Sequence, residues 1–177
     1  MMRKLRTVEM ARLSVEQFHE AEKMPLVVVL DDVRSLHNVG SVFRTCDAFR
    51  AEAVYLCGIT GTPPHAELHK TALGAEDSVC WRHFATALEA VEQLRAEGYE
   101  VWSVEQAEHS TKLPAFHPQR GKKYAVVLGN EVKGVHQEVI DASHGCLEIP
   151  QLGTKHSMNV SVTAGIIIYR FAEPLML

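Results

Sequence analysis

LVVVLDDV (26–33) runs into HNVGSVFRTCDAF (37–49), and this junction decides the fold. The first piece is a β-branched apolar run without alternation, the mark of a strand covered on both faces. The second sets Val39, Val42, Phe43 and Cys46 at helical spacing, an apolar stripe to lay against that strand. Working outward, AVYLCGI (53–59) reads as a second strand that ends in a loop from Gly58 to Pro64. SVCWRHF (78–84) is a short third strand, and ATALEAVEQLRAEG (85–98) an amphipathic helix stopped by Gly98. YEVWSVEQA (99–107), YAVVLGN (124–130) and GCLEIP (145–150) continue the strands, with a short helix expected over EVKGVHQEVIDAS (131–143). Strands alternating with helices predict an α/β fold, a mainly parallel sheet flanked by helices.

SMNVSVTAGIIIYRFAE (157–173) is apolar on nearly every side, so this helix is expected to be covered by its own domain and by a partner. Residues 108–123 form the longest irregular stretch and read as a surface loop. Residues 1–24 read as a basic, helical segment ahead of one domain spanning 25–177.

The 177 residues are 46% hydrophobic and 23% charged, the balance of a globular chain long enough to bury a core. No stretch approaches the roughly 18 apolar residues of a membrane span. The N-terminal segment has no apolar core, so it is not read as a signal peptide. Four cysteines lie far apart in apolar runs, which predicts buried thiols and a cytoplasmic location. Ten histidines form no metal-binding spacing, and no metal is expected. The net charge of −4 weighs against nucleic acid, yet two basic groups stand out. They are Arg3, Lys4, Arg6 and Arg12 at the start, and Arg120, Lys122 and Lys123 ahead of a strand.

In open α/β sheets ligands collect at the carboxyl ends of strands. Three such ends carry unusual polar residues. In Asn38-x-Gly40-x-x-x-Arg44, the arginine lies one helical turn beyond a glycine, on the face opposite the apolar stripe. Glycine costs a helix roughly 1 kcal/mol, and space for a substrate beside the guanidinium would compensate. Asn38 is a candidate helix cap. In Leu128-Gly129-Asn130-Glu131-x-x-Gly134, glycine permits close backbone approach around a flat ligand, and Glu131 can complement a helix dipole. After Ile149-Pro150, Ser157 is a candidate cap of the last helix. Asn159 would be a buried amide in need of partners.

Together NxGxxxR (38–44), LGNExxG (128–134), IP (149–150) and SMNVSVTAG (157–165) resemble the SpoU (TrmH) family of RNA ribose methyltransferases, from about Val27 to Phe171. The resemblance implies a SPOUT-type fold with a C-terminal trefoil knot, and a homodimer whose active site borrows residues across the interface. It implies transfer of a methyl group from S-adenosylmethionine to a ribose 2′-hydroxyl of tRNA or rRNA. By matching position, Leu128, Gly129, Asn130, Ile149, Pro150, Met158 and Asn159 would line the donor pocket, with contacts added near Val104 to Gln106. Many family members carry leucine at the place of Met158, a mild exchange. Asn38, Arg44, Glu131, Ser157 and Asn159 match the catalytic positions. A guanidinium is effectively never deprotonated, so Arg44 suits a phosphate clamp or stabilisation of a developing oxyanion, not a base.

Three rival readings differ in chemistry. A non-catalytic RNA-binding protein on the same fold is favoured by the acidic balance and opposed by the full set of Arg44, Glu131, Ser157 and Asn159. A dinucleotide oxidoreductase lacks its G-x-G-x-x-G after the first strand. A base methyltransferase of the wider superfamily is opposed by the Ser-x-Asn-Val-Ser ending.

Overall fold

The computed structural model describes residues 2–177. Its centre is β1 (Met24–Asp31), the apolar run read first, followed at once by α2 (Leu36–Ala48). Seven strands, all paired in parallel, form one sheet in the order β3-β2-β1-β6-β4-β7-β5. The remaining strands are β2 (Ala51–Cys57), β3 (Trp81–Phe84), β4 (Tyr99–Val104), β5 (Thr111–Lys112), β6 (Lys123–Leu128) and β7 (Gly145–Glu148). The α/β class and the parallel sheet expected from the sequence are both present.

Side chains alternate across a strand, which sends the apolar runs to two separate cores. Leu26, Val28 and Leu30 of β1, with Tyr124, Val126 and Leu128 of β6, meet α2 and α7 (Val160–Leu175) on one face. Val27, Val29, Val101, Ala125 and Val127 meet α5 (Ala87–Ala96) and α6 (Gln137–Ala142) on the other. After β1 the chain therefore turns to one face, and after the adjacent β6 to the opposite face. Such a divergence between neighbouring strands opens a crevice at their carboxyl ends. The register aligns those ends: Leu30 pairs with Leu128, Leu128 with Val104, and Val104 with Leu147.

Several local expectations are corrected. The N-terminal segment is helical only as a 3-10 turn at Thr7–Met10 and as α1 (Val15–Glu20). The third strand starts at Trp81, because Ala75–Ser78 coil into a one-turn helix, α4. The short helix read over 131–143 shrinks to α6, since Gly134 takes φ +70° and turns the chain before it. The stretch 108–123 is packed: Leu113 and Phe116 are buried, and Phe116 contacts Trp102, Tyr124 and Phe171 edge-on or tilted. Its polarity in sequence hid two anchors that are one aromatic and one leucine.

Gly40 has a different reason to be glycine from the one expected. Helix α3 (Ala66–Ala72) crosses it so closely that a Cβ would stand 2.2 Å from the Leu68 carbonyl oxygen and from Thr71 Oγ1. A neighbouring helix fills the space that the sequence reading gave to a substrate. Helix α7 buries Ala164, Ile167, Ile168 and Phe171 but leaves Val162, Ile166 and Tyr169 exposed at 54%, 39% and 48%. Those three lie at helical spacing on one face, so its own domain covers only part of this apolar helix.

Candidate active site

The loops that follow β4, β6 and β7, with the first turn of α7, enclose a cleft of about 1070 Å³ at the carboxyl edge of the sheet. Leu128, Leu147, Ile149, Met158 and Val160 give it apolar walls, while backbone of Gly129 to Val135 forms one side. That loop is folded back on itself. Asn130 and Gly134 exchange backbone hydrogen bonds of 3.1 and 2.9 Å, and Asn130 Oδ1 accepts from the amides of Val132 and Lys133. Asn130 Nδ2 donates to the carbonyl of Asp32, tying the loop to the end of β1. Gly129 is required by this fold-back, because a Cβ there would lie 2.1 Å from Gly134 C and Val135 N.

A polar trio is built around two residues of the cleft lining, Glu131 and Asn159, which Asn38 of α2 joins. Glu131 accepts from the backbone amides of Arg34 (3.0 Å) and Ser35 (3.1 Å), and from Asn38 Nδ2 (3.1 Å). Asn38 Oδ1 in turn accepts from Asn159 Nδ2 at 3.2 Å. Thus 38, 131 and 159, distant in the chain, are drawn into one chain of hydrogen bonds. Partial burial opposes ionisation of Glu131, but the donors from Arg34, its own backbone, Ser35 and Asn38 outweigh it and lower its pKa.

The details differ from the sequence reading at four residues. Ser35, not Asn38, caps α2, accepting from the Asn38 amide. Asn159, not Ser157, caps α7, its Oδ1 accepting from the amides of Ser161 and Val162. Asn159 is exposed, so it owes nothing to a buried-amide penalty. Glu131 serves the start of α2 instead of α6, because the turn at Gly134 separates it from α6.

Leu128, Gly129, Asn130, Glu131, Ile149, Ser157, Met158 and Asn159 all line the cleft. Pro150 faces an adjacent apolar groove with Leu113, Ile166 and Tyr169. Arg44 is not part of the cleft of its own chain. It lies six residues past Asn38, about 9 Å further along α2, beside Ser41, Thr45, Lys70 and Thr71. Its guanidinium is exposed and has no hydrogen-bond partner among the described residues.

The profile of the SpoU rRNA Methylase family matches residues 25–169 of this sequence. The chain belongs to that family. It is 29% identical over 161 residues to a tRNA (guanosine(18)-2′-O)-methyltransferase of Thermus thermophilus, covering 91% of this chain and 81% of that one. It is 29% identical over 144 residues to the 23S rRNA (guanosine-2′-O-)-methyltransferase RlmB of Neisseria meningitidis, covering 81% of this chain and 56% of that one. An AdoMet-bound rRNA methyltransferase from Sinorhizobium meliloti superposes with a TM-score of 0.81 at 25% identity, covering 90% of this chain and 61% of that chain. This SpoU chain thus spans less than two thirds of the length of the latter two.

Two supports of this SpoU cleft go beyond the sequence reading, which gave the end of β4, Val104 to Gln106, only contacts to the donor. Glu105 at the end of β4 accepts from the amides of Gln106 (2.8 Å) and Val135 (3.1 Å), and so locks two cleft loops together. The signal was Gly134, where a Cβ would stand 2.1 Å from Glu105 Oε2. Buried Asp31 accepts from the amide and Nδ1 of His136 at 2.9 Å each. That hydrogen bond and the Asp31 charge raise the His136 pKa above its ordinary value. Asp32 joins the two in a group of possible ligand atoms within 4.8 Å of one another. Its Oδ1 accepts from the amide of Ile59, and Asp31 is engaged by His136, so both carboxylates do structural work here.

The lowered pKa of Glu131 makes the junction of α2 with the cleft loop pH-dependent. A depressed carboxyl pKa stabilises the fold above the ordinary value of 4.5, and that stabilisation is lost as pH falls through the lowered value. Denaturant unfolding of wild type and Glu131→Gln should therefore show a stability gap at pH 7 that narrows as the pH falls below 4.5. A gap independent of pH would contradict an ionised Glu131 in the network.

Proposed function

We propose that the chain is an S-adenosylmethionine-dependent RNA methyltransferase acting on a ribose 2′-hydroxyl of tRNA or rRNA, in the cytoplasm. The observation that carries this is the chain of hydrogen bonds by which Asn38 joins Glu131 and Asn159, two residues lining a cleft built from three strand-end loops. The cleft fits the donor: its volume suits a nucleoside-sized ligand, the apolar side chains of Leu128, Leu147, Ile149, Met158 and Val160 stand among polar groups in its lining, and main chain of Gly129 to Val135 borders it. Leu128, Gly129, Asn130, Ile149, Met158 and Asn159 would hold it, with Pro150 at the outer edge. When bound, the donor supplies an electrophilic methyl group on a sulfonium.

The residues then act by placement. Glu131 fixes the start of α2 against the cleft loop, and Asn38 links it to Asn159 at the first turn of α7. Glu131 is held ionised by three donors and is a weak base, so the ribose proton passes to a substrate phosphate or to water. Ser157, exposed at the cleft, stays near the ribose. Arg44 stabilises negative charge on the attacking oxygen from the second copy of a homodimer, because its own cleft lies elsewhere. The exposed stripe Val162, Ile166 and Tyr169 supports such pairing. A C-terminal trefoil knot is consistent with the strand order, in which β6 enters between β1 and β4, and β7 between β4 and β5. Residues 25–177 make the catalytic domain and 1–24 a basic arm.

Incubation with methyl-labelled donor and bulk tRNA or rRNA separates this reading from a binding-only protein. Label should enter RNA with wild type. Tight RNA binding without any transfer would favour the binding-only alternative.

A further inference from the structure

One of the two basic groups in the sequence, Arg120, Lys122 and Lys123, stands at the wrong end of the molecule for the cleft. Lys123 opens β6 and pairs in register with Tyr99, the first residue of β4, at the amino edge of the sheet. Leu128, at the cleft, is five residues away, about 17 Å along the strand. The cations there are also engaged. Arg120 donates to the Pro174 carbonyl, Lys122 bridges to Glu100, and Lys123 lies over the Tyr99 ring.

At the carboxyl edge the balance is reversed. Arg34 follows β1, Lys133 follows β6 and Lys155 follows β7, each alone on its loop. All three are exposed, and among the described residues none has a side-chain hydrogen bond, salt bridge or aromatic partner. The acids of the loops at this edge, the one after β4 included, are mostly occupied by backbone. Asp32 accepts from Ile59, Glu105 from Gln106 and Val135, and Glu131 from Arg34 and Ser35. Glu108 has no such partner among the described residues. Ordering a long free cation costs rotamer entropy, and among the described residues no partner offsets it here. Strands β1, β6, β4 and β7 are contiguous in the sheet, so the three loops span about 14 Å at some 4.8 Å per strand.

We propose that Arg34, Lys133 and Lys155 form a cradle for the phosphates of the RNA strand that flanks the target ribose. The proposal rests on the RNA methyltransferase reading and adds to it the surface that holds the substrate. It also places the RNA path along the row of strand ends, and away from the basic group at 120–123. A chain of net charge −4 can bind RNA on these terms because the uncommitted cations of its strand-end loops are gathered on one edge.

The test is the salt dependence of binding of the full chain to a fluorescein-labelled, 20-nucleotide single-stranded RNA. Removing one cation that neutralises a phosphate lowers the slope of log K against log salt by about 0.7 for single strands. Arg34→Gln/Lys133→Gln/Lys155→Gln should reduce the slope by about 2, and Arg34→Gln/Lys155→Gln by about 1.4. The control Arg120→Gln/Lys122→Gln removes charge at the opposite edge and should leave the slope unchanged. Circular dichroism of each variant reports folding separately. A wild-type slope in the triple variant, an equal fall in the control, or wild type that binds without salt dependence would each overturn the cradle. Label transfer measured on the same preparations keeps the two ideas apart. Transfer by wild type with an unmoved triple slope sinks only the cradle, whereas a cradle-dependent slope without transfer sinks only the methyltransferase reading.

Discussion

Arg44→Ala should lower turnover on RNA by about 10²–10³-fold while leaving donor affinity unchanged, the size of effect seen when one oxyanion-stabilising donor is removed. The side chain is exposed, unpartnered among the described residues, and outside the cleft of its own chain. A residue acting within one protomer and a residue acting across a dimer predict the same single-mutant defect, so the mixture is what separates them. Combining Arg44→Ala with a cleft-dead variant in equal amounts gives one half heterodimers. Each heterodimer holds one site with an intact cleft and an intact arginine, so about a quarter of wild-type activity should return. No recovery after subunit exchange would place Arg44 outside the partner's cleft and leave its exposure unexplained.

Gly129→Ala, assayed at a donor concentration well below its weakened affinity, supplies that cleft-dead partner and is the second large effect. Its Cβ would fall 2.1 Å from backbone atoms of Gly134 and Val135, which cannot swing aside as a flexible side chain can. The Asn130–Gly134 pair and the Glu105 contact to Val135 would have to part, and the cleft wall would move with them. Overpacking of this kind costs about 1–3 kcal/mol, so calorimetry should show S-adenosylmethionine affinity falling by roughly tenfold to a hundredfold. Gly153→Ala on the neighbouring loop, with nothing within 4 Å of its new Cβ, should bind as wild type does. Equal affinity in both variants would mean that the 129–135 loop does not hold the donor.

The fold was legible where pattern and burial agree. Continuous apolar runs such as Leu26–Leu30 read as two-sided strands because helices do cover both faces. The short elements were not legible, since β5 has two residues and α4 a single turn, too little for any period to show. Gly40 was misread because a sequence shows that a side chain is missing but not what fills the gap.

At the site, residue choice was legible and the wiring was not. Asn38, Glu131 and Asn159 were named from three separate blocks, and the structure joins them by hydrogen bonds of 3.1 and 3.2 Å. Which helix each one caps depended on φ at Gly134 and on where α7 begins, and neither is written in hydrophobic spacing. Likewise the charge that matters is the charge left over after pairing. Arg120, Lys122 and Lys123 look like a patch in the chain, yet they are spent on Pro174, Glu100 and Tyr99.

The most direct measurement is nucleoside mass spectrometry of RNA incubated with the purified chain and a donor carrying a deuterated methyl group. Deuterium should be found on the ribose fragment of a single nucleotide type, and its yield should fall with Arg44→Ala and Gly129→Ala alike. Deuterium on the base fragment, or RNA that stays unlabelled while wild type binds both donor and RNA, would contradict a ribose 2′-O-methyltransferase.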